Sequence, residues 1–302
     1  MTDGKRTIVG LGELLWDLLP SGKQLGGAPA NFAYITNLLG DRGIPASRVG
    51  TDSLGELALQ RLGQLGVSAV GVQNDPIHPT GTVKVEIAKD GQPRFDIMEP
   101  VAWDFLEWSP EWQRFASEAD AVCFGSLAQR SAQSRTTIRS FLHATHPETV
   151  RVFDVNLRQN FYSREILVES MQLASVVKLN HEELPRVMRL LELDDSGERD
   201  SAGLLLTIHD LELVCVTRGT EGSVLISRDE CSEHPGFRIK VADTVGAGDA
   251  FTAAMVHEYL RGGRLEEINE TANRIGAWVA SQSGATPALK AGGLEQTLAE
   301  IT

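Results

Sequence analysis

Short apolar runs that are rich in β-branched residues alternate with helix-like patterns along most of this chain. In the segments between the runs, apolar residues recur at the 3.6-residue spacing of helices. This alternation is typical of a mostly parallel sheet that is covered by helices. The strand-like runs are 7–12, 121–125, 150–156, 176–180 and 211–218, and the helical patterns are 30–39, 53–65, 131–143, 181–191, 250–261, 265–282 and 294–301.

The segment 81–98 departs from this alternation. Its apolar and polar residues alternate one by one on both sides of a turn at 89–92, which predicts a β-hairpin with one solvated face. Together with 13–20, the hairpin is expected to form a small sheet outside the main α/β body. Such a sheet can close over a substrate as a lid, and a surface hairpin without that role fits the pattern equally well.

Charge and composition argue against several classes of protein. The net charge of -13, without a clustered basic face, argues against a nucleic-acid partner. The chain has 3 cysteines and no CxxC spacing, so we expect reduced thiols in a reducing compartment. No apolar run is long enough to span a membrane, and we expect a soluble, cytoplasmic protein without a membrane partner. The acidic segment 192–200 predicts a solvated loop.

The segment 243–251 (DTVGAGDAF) is the place best suited to chemistry. Gly246, Ala247 and Gly248 leave the backbone bare where a helix begins, so their amides can converge on an anion. Asp249 faces the same place, and a carboxylate beside an anion hole suits proton removal from a hydroxyl during phosphoryl transfer. Small residues and Asp are also ordinary helix-capping residues, so capping is the alternative for this segment alone.

Polar groups near the N-terminus suit the binding of a sugar. Gly26 and Gly27 let a ligand approach the backbone, and Asn31 offers both a donor and an acceptor to hydroxyl groups. Asp17 follows the first strand and can accept hydrogen bonds from neighbouring hydroxyls. The alternatives are a Gly-Pro turn with an Asn near a helix start, and a solvated loop carboxylate.

Further polar groups follow the strands at mid-chain, where ligands of open α/β sheets gather. Asp154, Asn156 and Arg158 end one strand, and the Arg158 guanidinium suits phosphate oxygens. An ion pair between Asp154 and Arg158 is the alternative. Asn180 and Glu183 end the next strand and are oxygen ligands of the type that Mg²⁺ or its waters accept, although a helix-capping box has the same spacing.

The segment 217–224 (TRGTEGSV) combines a strand, a glycine turn and a second strand. The turn can let a nucleotide lie against the main chain, and a plain hairpin is the alternative. The chain has no G-x-x-x-x-G-K-[ST] loop, which argues against a Walker-type nucleotide site. The segment 10–12 lacks the third glycine of a dinucleotide fingerprint, so hydride transfer is poorly supported.

The order of these motifs resembles that of the PfkB, or ribokinase-like, carbohydrate kinases over essentially the whole chain. The ordered elements are GG-x-x-x-N, D-x-N-x-R, N-x-x-E, T-x-G-x-x-G and DTVGAGDAF. The resemblance implies one three-layer α/β/α sandwich domain over 1–302, with a central mostly parallel sheet and a small β-sheet lid from about 13–20 and 81–98. The stretches GGAPAN, DVNLR and VAWD (101–104) look most like those of bacterial fructokinases.

The resemblance also implies roles for individual residues. Asp249 looks like the base that accepts the sugar hydroxyl proton, and Arg158 looks like a bridge between sugar and transferred phosphate. The remaining positions fall into groups: Gly246, Ala247 and Gly248 as the anion hole; Asp17, Gly27 and Asn31 on the sugar; Asn180, Thr217, Gly219, Gly222 and Asn273, with Gly246 and Gly248, on ATP; Glu183 on Mg²⁺ through water; and Asp243, with the loop 283–286, on a monovalent cation such as K⁺.

The expected reaction is the ATP-dependent phosphorylation of a hexose at its terminal hydroxymethyl group, with D-fructose as the foremost acceptor. The alternatives are a kinase for 2-keto-3-deoxygluconate, ribose or a nucleoside, or a non-catalytic sugar- or nucleotide-binding regulator with the same fold. A regulator would be expected to have lost Asp249 or a glycine of the anion hole, and both are present. The expected partners are the sugar and ATP, and a homodimer through the lid and a monomer both fit the hairpin.

Overall fold

The apolar runs of the sequence form strands of a large sheet, and a second, small sheet lies beside it. The computed structural model describes residues 4–19, 22–87 and 93–301. The strands are β1 (Thr7–Leu11), β2 (Leu15–Leu19), β3 (Gly22–Gly26), β4 (Arg42–Gly50), β5 (Val72–Asp75), β6 (Gly81–Ile87), β7 (Pro93–Ile97), β8 (Ala121–Phe124), β9 (Val150–Asp154), β10 (Val176–Asn180), β11 (Leu213–Thr217), β12 (Ser223–Ser227) and β13 (Cys231–His234).

Nine of these described strands form the main sheet, in the order β13-β12-β11-β10-β9-β8-β1-β4-β5. Neighbouring strands from β11 to β5 are parallel, and only the pairs β11/β12 and β12/β13 in this part of the chain are antiparallel. The expectation of a mostly parallel sheet is therefore confirmed. Because parallel strands end at a common edge, the polar residues that follow β1, β8, β9 and β10 are brought together there.

Helices cover the main sheet. They are α1 (Ala28–Leu38), α2 (Ser53–Gln64), α3 (Pro110–Glu118), α4 (Ala132–His143), α5 (Arg164–Leu173), α6 (Glu183–Leu190), α7 (Glu198–Ile208), α8 (Ala247–Tyr259), α9 (Leu265–Ala280) and α10 (Gly293–Leu298). The predicted helices are all present, with ends that differ by a few residues, whereas α3, α5 and α7 were not predicted. The predicted solvated loop over 192–200 is wrong at its end, because α7 begins at Glu198.

Two hydrophobic cores lie on opposite faces of the main sheet. Ile8 and Val9 are neighbours in β1, yet Ile8 packs with α1, α2, α8 and α9, while Val9 packs with the helices from α3 to α7. Adjacent residues of a strand point to opposite faces, so the helices form one layer on each side. This is the predicted three-layer α/β/α sandwich.

The small sheet has the order β3-β2-β6-β7. The predicted hairpin is confirmed, because β6 and β7 pair antiparallel with Val83 opposite Ile97. The predicted turn at 89–92 and the end of the segment 13–20 lie outside the described residues. β2 runs parallel to β6 and antiparallel to β3, a strand that the sequence did not reveal. In the described part of the chain, no helix has the length and apolar character needed to cross a membrane.

Candidate active site

A cleft opens at the carboxyl edge of the main sheet, where the sequence predicts ligands to gather. It lies between the ends of β1, β8 and β9 and the first turns of α1 and α8. Both carboxylates and apolar groups line it, as is usual for small-molecule sites. The lining residues are Leu11, Glu13, Ala28, Pro29, Phe32, Cys123, Phe124, Gly125, Leu127, Asp154, Asn156, Asp249 and Thr252.

Asp249 lies in the first turn of α8 and points its carboxylate into this cleft. Asn31, 218 residues away in the sequence, donates a hydrogen bond from Nδ2 to Asp249 Oδ2 at 2.8 Å. Burial raises the pKa of Asp249 to about 6, against the lowering effect of the Asn31 hydrogen bond. At neutral pH the group is therefore mostly ionised and basic enough to take a proton, which suits a general base.

The turn that precedes Asp249 has no room for a side chain at Gly246. Gly246 caps α8 with φ of 77°, and a Cβ added there would lie 2.4 Å from the Cβ of Ala285. A side chain is thus excluded by both conformation and space. No side chain in the described residues caps α8, so the capping alternative does not account for Asp249. The amides of a first helical turn have no carbonyl partner within the helix, although the Ala247 amide makes a long, 3.3 Å contact with the Thr244 carbonyl.

Asp17 belongs to the small sheet and is affected by charges of the main body. It lies on β2, and its carboxylate covers Gly26 so closely that a Cβ there would lie 2.4 Å from Asp17 Oδ2. Burial raises the pKa of Asp17 to about 6, while the charge of Arg158 lowers it and that of Asp243 raises it. The predicted sugar-binding, bridging and cation-binding residues therefore lie within electrostatic reach of one another.

Glu13 is a second acidic group of the cleft, and the sequence did not single it out. It is buried, and its Oε1 accepts a hydrogen bond from the Ala28 amide at 3.3 Å. Burial raises the pKa of Glu13 to about 7, and the charge of Asp249 adds to that rise. Gly27 has a φ of 106° and lies so close to Glu13 that an added Cβ would be 2.5 Å from the Glu13 carbonyl oxygen. The chain itself therefore fills the space beside Gly27, and the approach of a ligand to this backbone stays a prediction.

Arg158 remains exposed above the cleft instead of pairing with Asp154. Its Nη1 donates to the Leu157 carbonyl at 3.1 Å, and its charge lowers the pKa values of Glu13, Asp17 and Asp249. The predicted alternative of an ion pair between Asp154 and Arg158 is therefore wrong. Asp154 instead pairs with the buried Lys178, with Nζ to oxygen distances of 3.1 and 3.0 Å.

Lys178 is another charged residue that the sequence did not single out. Burial alone would lower its pKa, but the carboxylates of Asp154 and Glu183 raise it, so the amine keeps its charge. The sequence could have pointed to Lys178, because it lies within an apolar strand and lysine is rarely buried without a partner of opposite charge. Its partner could not be chosen from the sequence, since Asp154 lies on another strand.

Asn180 and Glu183 form the capping box that was the alternative for their motif. Asn180 Oδ1 accepts from the Glu183 amide, and Glu183 Oε2 accepts from the Asn180 amide, each at 2.9 Å. Glu183 also accepts from the Leu157 amide through Oε1 at 2.8 Å, which ties the end of β10 to the segment after β9. Each carboxylate oxygen keeps a second lone pair, so a role toward metal-bound water stays a prediction.

Three of the predicted nucleotide residues lie at the turn after β11, whereas Asn180 ends β10, and Gly246 and Gly248 lie at the start of α8. Thr217 ends β11, Gly219 and Gly222 flank the turn, and a shallow depression lies between this turn and the segment 233–238. Asn273 is buried instead, and its Nδ2 donates to Ser223 Oγ at 2.8 Å. Its predicted contact with ATP stays a prediction.

Asp243 holds the two segments that were predicted to bind a monovalent cation. Its Oδ1 accepts from the Val245 amide at 3.0 Å, and its Oδ2 accepts from the Gly284 amide at 3.1 Å. Among the described residues, no group of 3 or more His, Cys, Asp or Glu side chains is placed to hold a metal ion by itself. Magnesium in phosphoryl-transfer enzymes is usually held by one or two carboxylates together with the phosphates of the substrate.

Comparison with known proteins agrees with this geometry. The fructokinase of Escherichia coli is 32% identical over 299 residues, which cover 92% of this chain and 94% of that protein. An uncharacterized sugar kinase of Pyrococcus horikoshii, also solved in complex with ATP, aligns with a TM-score of 0.83 and 28% identity over 98% of this chain and 99% of that chain. The fructokinase of Vibrio cholerae O395, solved with fructose, ADP and a calcium ion, aligns with a TM-score of 0.82 and 25% identity over 99% of both chains.

The family profile described as "pfkB family carbohydrate kinase" matches residues 21–291. This match begins after β2 and covers the other strands of the small sheet and the turn that carries Asp249. The chain belongs to the PfkB family of carbohydrate kinases.

Proposed function

We propose that this chain is a single-domain kinase that transfers the γ-phosphoryl group of ATP to the terminal hydroxymethyl group of a sugar, with D-fructose as the preferred acceptor. The observation that carries the proposal is the contact between Asn31 and Asp249 at the mouth of a bare glycine turn. A sugar-binding amide, a carboxylate base and an anion-binding turn then meet at one point of the cleft.

Asp249 takes the proton of the attacking hydroxyl in this proposal. Its raised pKa of about 6 places its basicity close to neutral pH, where proton acceptance is most effective. Asn31 fixes one carboxylate oxygen at 2.8 Å, so the other oxygen is oriented toward the cleft for the substrate. A base that is held in this way needs little reorganisation when the hydroxyl attacks.

The transferring phosphoryl group is stabilised from two sides. The amides of Gly246, Ala247 and Gly248 supply partial positive charge at the start of α8, and Arg158 supplies a full charge from the opposite side. The charge of Arg158 reaches both Asp17 and Asp249, which supports its role as a bridge between sugar and phosphate.

The nucleotide is proposed to lie along the turn after β11, with its phosphates directed at Asn180 and Glu183. Mg²⁺ would neutralise phosphate charge when bound, and Glu183 would orient its waters. Asp243 and the loop 283–286 would hold a monovalent cation such as K⁺. Support comes from the ATP complex of the Pyrococcus horikoshii kinase, and a variant of the Vibrio cholerae fructokinase was solved with a potassium ion.

The preference for D-fructose is supported by relatives that carry that name and by the complex with fructose described above. The alternatives within the family are 2-keto-3-deoxygluconate, ribose and nucleosides. Asp104 of the VAWD stretch does not itself offer a sugar ligand, because both of its oxygens accept from Arg130, at 2.7 and 2.8 Å. Selectivity is therefore proposed to come from the front of the cleft and from the small sheet acting as its lid.

The small sheet is proposed to close on the body, and the effect of the Arg158 charge on Asp17 supports this role. Closure of such a lid would exclude water from the transfer. A homodimer through the small sheet stays the alternative to a monomeric lid. A non-catalytic regulator is disfavoured by the intact constellation around Asp249.

The proposal is tested by the rate of ADP formation with D-fructose, ATP and Mg²⁺. Asp249→Asn should lower kcat by at least ~100-fold, because a general base typically contributes a factor of this size. Asp210→Asn is the matched control, since Asp210 is exposed and pairs with Arg228 at the surface. Turnover of Asp249→Asn at the rate of the control would remove Asp249 from the mechanism.

A further inference from the structure

Lys178 is a charged residue of a buried strand that the proposed reaction leaves without a role. The residue is 7% exposed and lies in register with Asp154 of the neighbouring strand. Its ammonium contacts both oxygens of that carboxylate, at 3.1 and 3.0 Å. The two side chains therefore form a closed ion pair in the sheet, directly below the first turn of α8.

The ion pair reaches the glycine turn from inside the protein. A Cβ added to Gly248 would lie 3.2 Å from Lys178 Nζ, so the ammonium occupies the space that a side chain would need. Thr252 joins the two parts, because its Oγ1 donates to Asp154 Oδ2 at 3.0 Å and lies 2.9 Å from the Gly248 carbonyl. A full positive charge therefore lies beside the backbone of the turn, with no side chain between them.

Stability alone is a weak reason for this arrangement. A buried ion pair costs much of its attraction in lost hydration, and apolar side chains of similar size often stabilise a core as well. The position below Gly248 offers a different use, since negative charge develops at the turn during phosphoryl transfer. Preorganised charge is most effective where water is excluded, as it is around Lys178.

We propose that Lys178 is a positioning residue for phosphoryl transfer: it supports the turn 246–248 from below and adds its charge to the anion hole. Asp154 and Thr252 hold the ammonium in place. This inference rests on the proposed kinase function. The positive charge at the anion hole would then come from Lys178 of the sheet as well as from the amides of α8.

The test is Lys178→Met, assayed with D-fructose, ATP and Mg²⁺. We expect kcat to fall by about 100-fold, the effect typical of losing one preorganised charge-stabilising group, with KM values within about threefold of the unmodified protein. Binding of ADP with aluminium fluoride and D-fructose should weaken by a similar factor, whereas binding of ADP alone should not. Arg48→Met is the matched control, because it breaks a buried ion pair with Asp75 outside the lining of the cleft.

Lys178→Met leaves Asp154 unpaired and can therefore destabilise the protein. The double variant Lys178→Met/Asp154→Asn removes the unpaired charge, so it should melt closer to the unmodified protein while its kcat and its binding of ADP with aluminium fluoride stay low. If kcat and the binding of ADP with aluminium fluoride in the double variant both recover to the level of the Arg48→Met control, the inference is overturned. The ion pair would then serve only the stability of the fold. No sugar-dependent ADP from the unmodified protein would instead overturn the kinase proposal and this inference with it.

Discussion

Replacing Asp249 by Asn should make the protein more stable while it lowers kcat by at least ~100-fold. The pKa of this carboxyl rises in the folded chain from 3.8 to about 6, chiefly because the group is buried. At about 1.4 kcal/mol per pKa unit, the folded state penalises the ionised form by about 3 kcal/mol at most. Although most of the Asp249 side chain is withdrawn from solvent, the residue is not fully enclosed. Water therefore screens part of this penalty, and we expect a gain of about 1–2 kcal/mol.

The sign of the change in the free energy of unfolding follows from the raised pKa of Asp249. A carboxyl whose folded pKa is raised destabilises the protein above that pKa, and the penalty fades as pH falls toward the unfolded value. The gain of Asp249→Asn should therefore be largest at about pH 8 and fall to roughly a third of that value at about pH 4.5. Asn can still accept the hydrogen bond from Asn31 through its amide oxygen, so that contact is kept.

Thermal unfolding monitored by circular dichroism measures this difference. A gain of 1–2 kcal/mol corresponds to a rise in Tm of about 2–4 °C for a chain of this size. Asp41→Asn is a control of opposite sign: burial alone would raise the pKa of Asp41, but hydrogen bonds from His257 and Arg261 outweigh it and lower the pKa. That variant should lose stability at about pH 8. A Tm for Asp249→Asn at or below that of the unmodified protein at this pH would refute the argument from burial.

Three further variants test the parts of the site. Asn31→Leu removes the hydrogen bond that lowers the pKa of Asp249, so the acidic limb of the kcat/KM profile should move upward from about pH 6; an unchanged limb would show that the profile reports another group. Gly246→Ala should cost about 1–3 kcal/mol in urea unfolding because of its positive φ and the contact with Ala285, and Gly246→Ala/Ala285→Gly should recover only part of it; a Gly246→Ala variant as stable as the unmodified protein would contradict this. Glu183→Gln should cost about 1–3 kcal/mol through its backbone hydrogen bonds and also raise the Mg²⁺ concentration needed for half-maximal rate; a loss of stability without a change in Mg²⁺ dependence would restrict Glu183 to capping.

Much of the fold could be predicted from the sequence because parallel strands are buried on both faces of the sheet. Such strands therefore consist of consecutive apolar residues, which are easy to find in a sequence. β1, β8, β9, β10 and β11 follow that rule and were found. β4 breaks it with a proline and several polar residues, since Pro45 lies opposite Gly10 in a sheet that nonetheless forms. α7 was missed because its acidic N-terminal turn, from Glu198, looks like a solvated loop when its partner Arg218 is unknown.

The site could be predicted where its chemistry is local to one turn. Gly246 to Asp249 form a contiguous segment, and the backbone conformation of such a segment is encoded by its glycines. Glu13 and Lys178 escaped prediction because their importance comes from burial and from partners on other strands, which only the folded sheet brings together. The pairing of Asp154 was misjudged for the same reason: the register of two strands, and not the nearest cation in the sequence, decides it.

The central claim is that this chain phosphorylates a sugar, and the most direct measurement is ADP release with ATP and Mg²⁺ over a panel of acceptors. The panel contains D-fructose, 2-keto-3-deoxygluconate, ribose and a nucleoside, and mass spectrometry and ³¹P NMR locate the phosphate on the product. We expect one phosphate on the terminal hydroxymethyl group for each ADP, with the highest kcat/KM for D-fructose. A higher kcat/KM for another acceptor would replace the sugar and keep the reaction, whereas no sugar-dependent ADP from any member would contradict the claim.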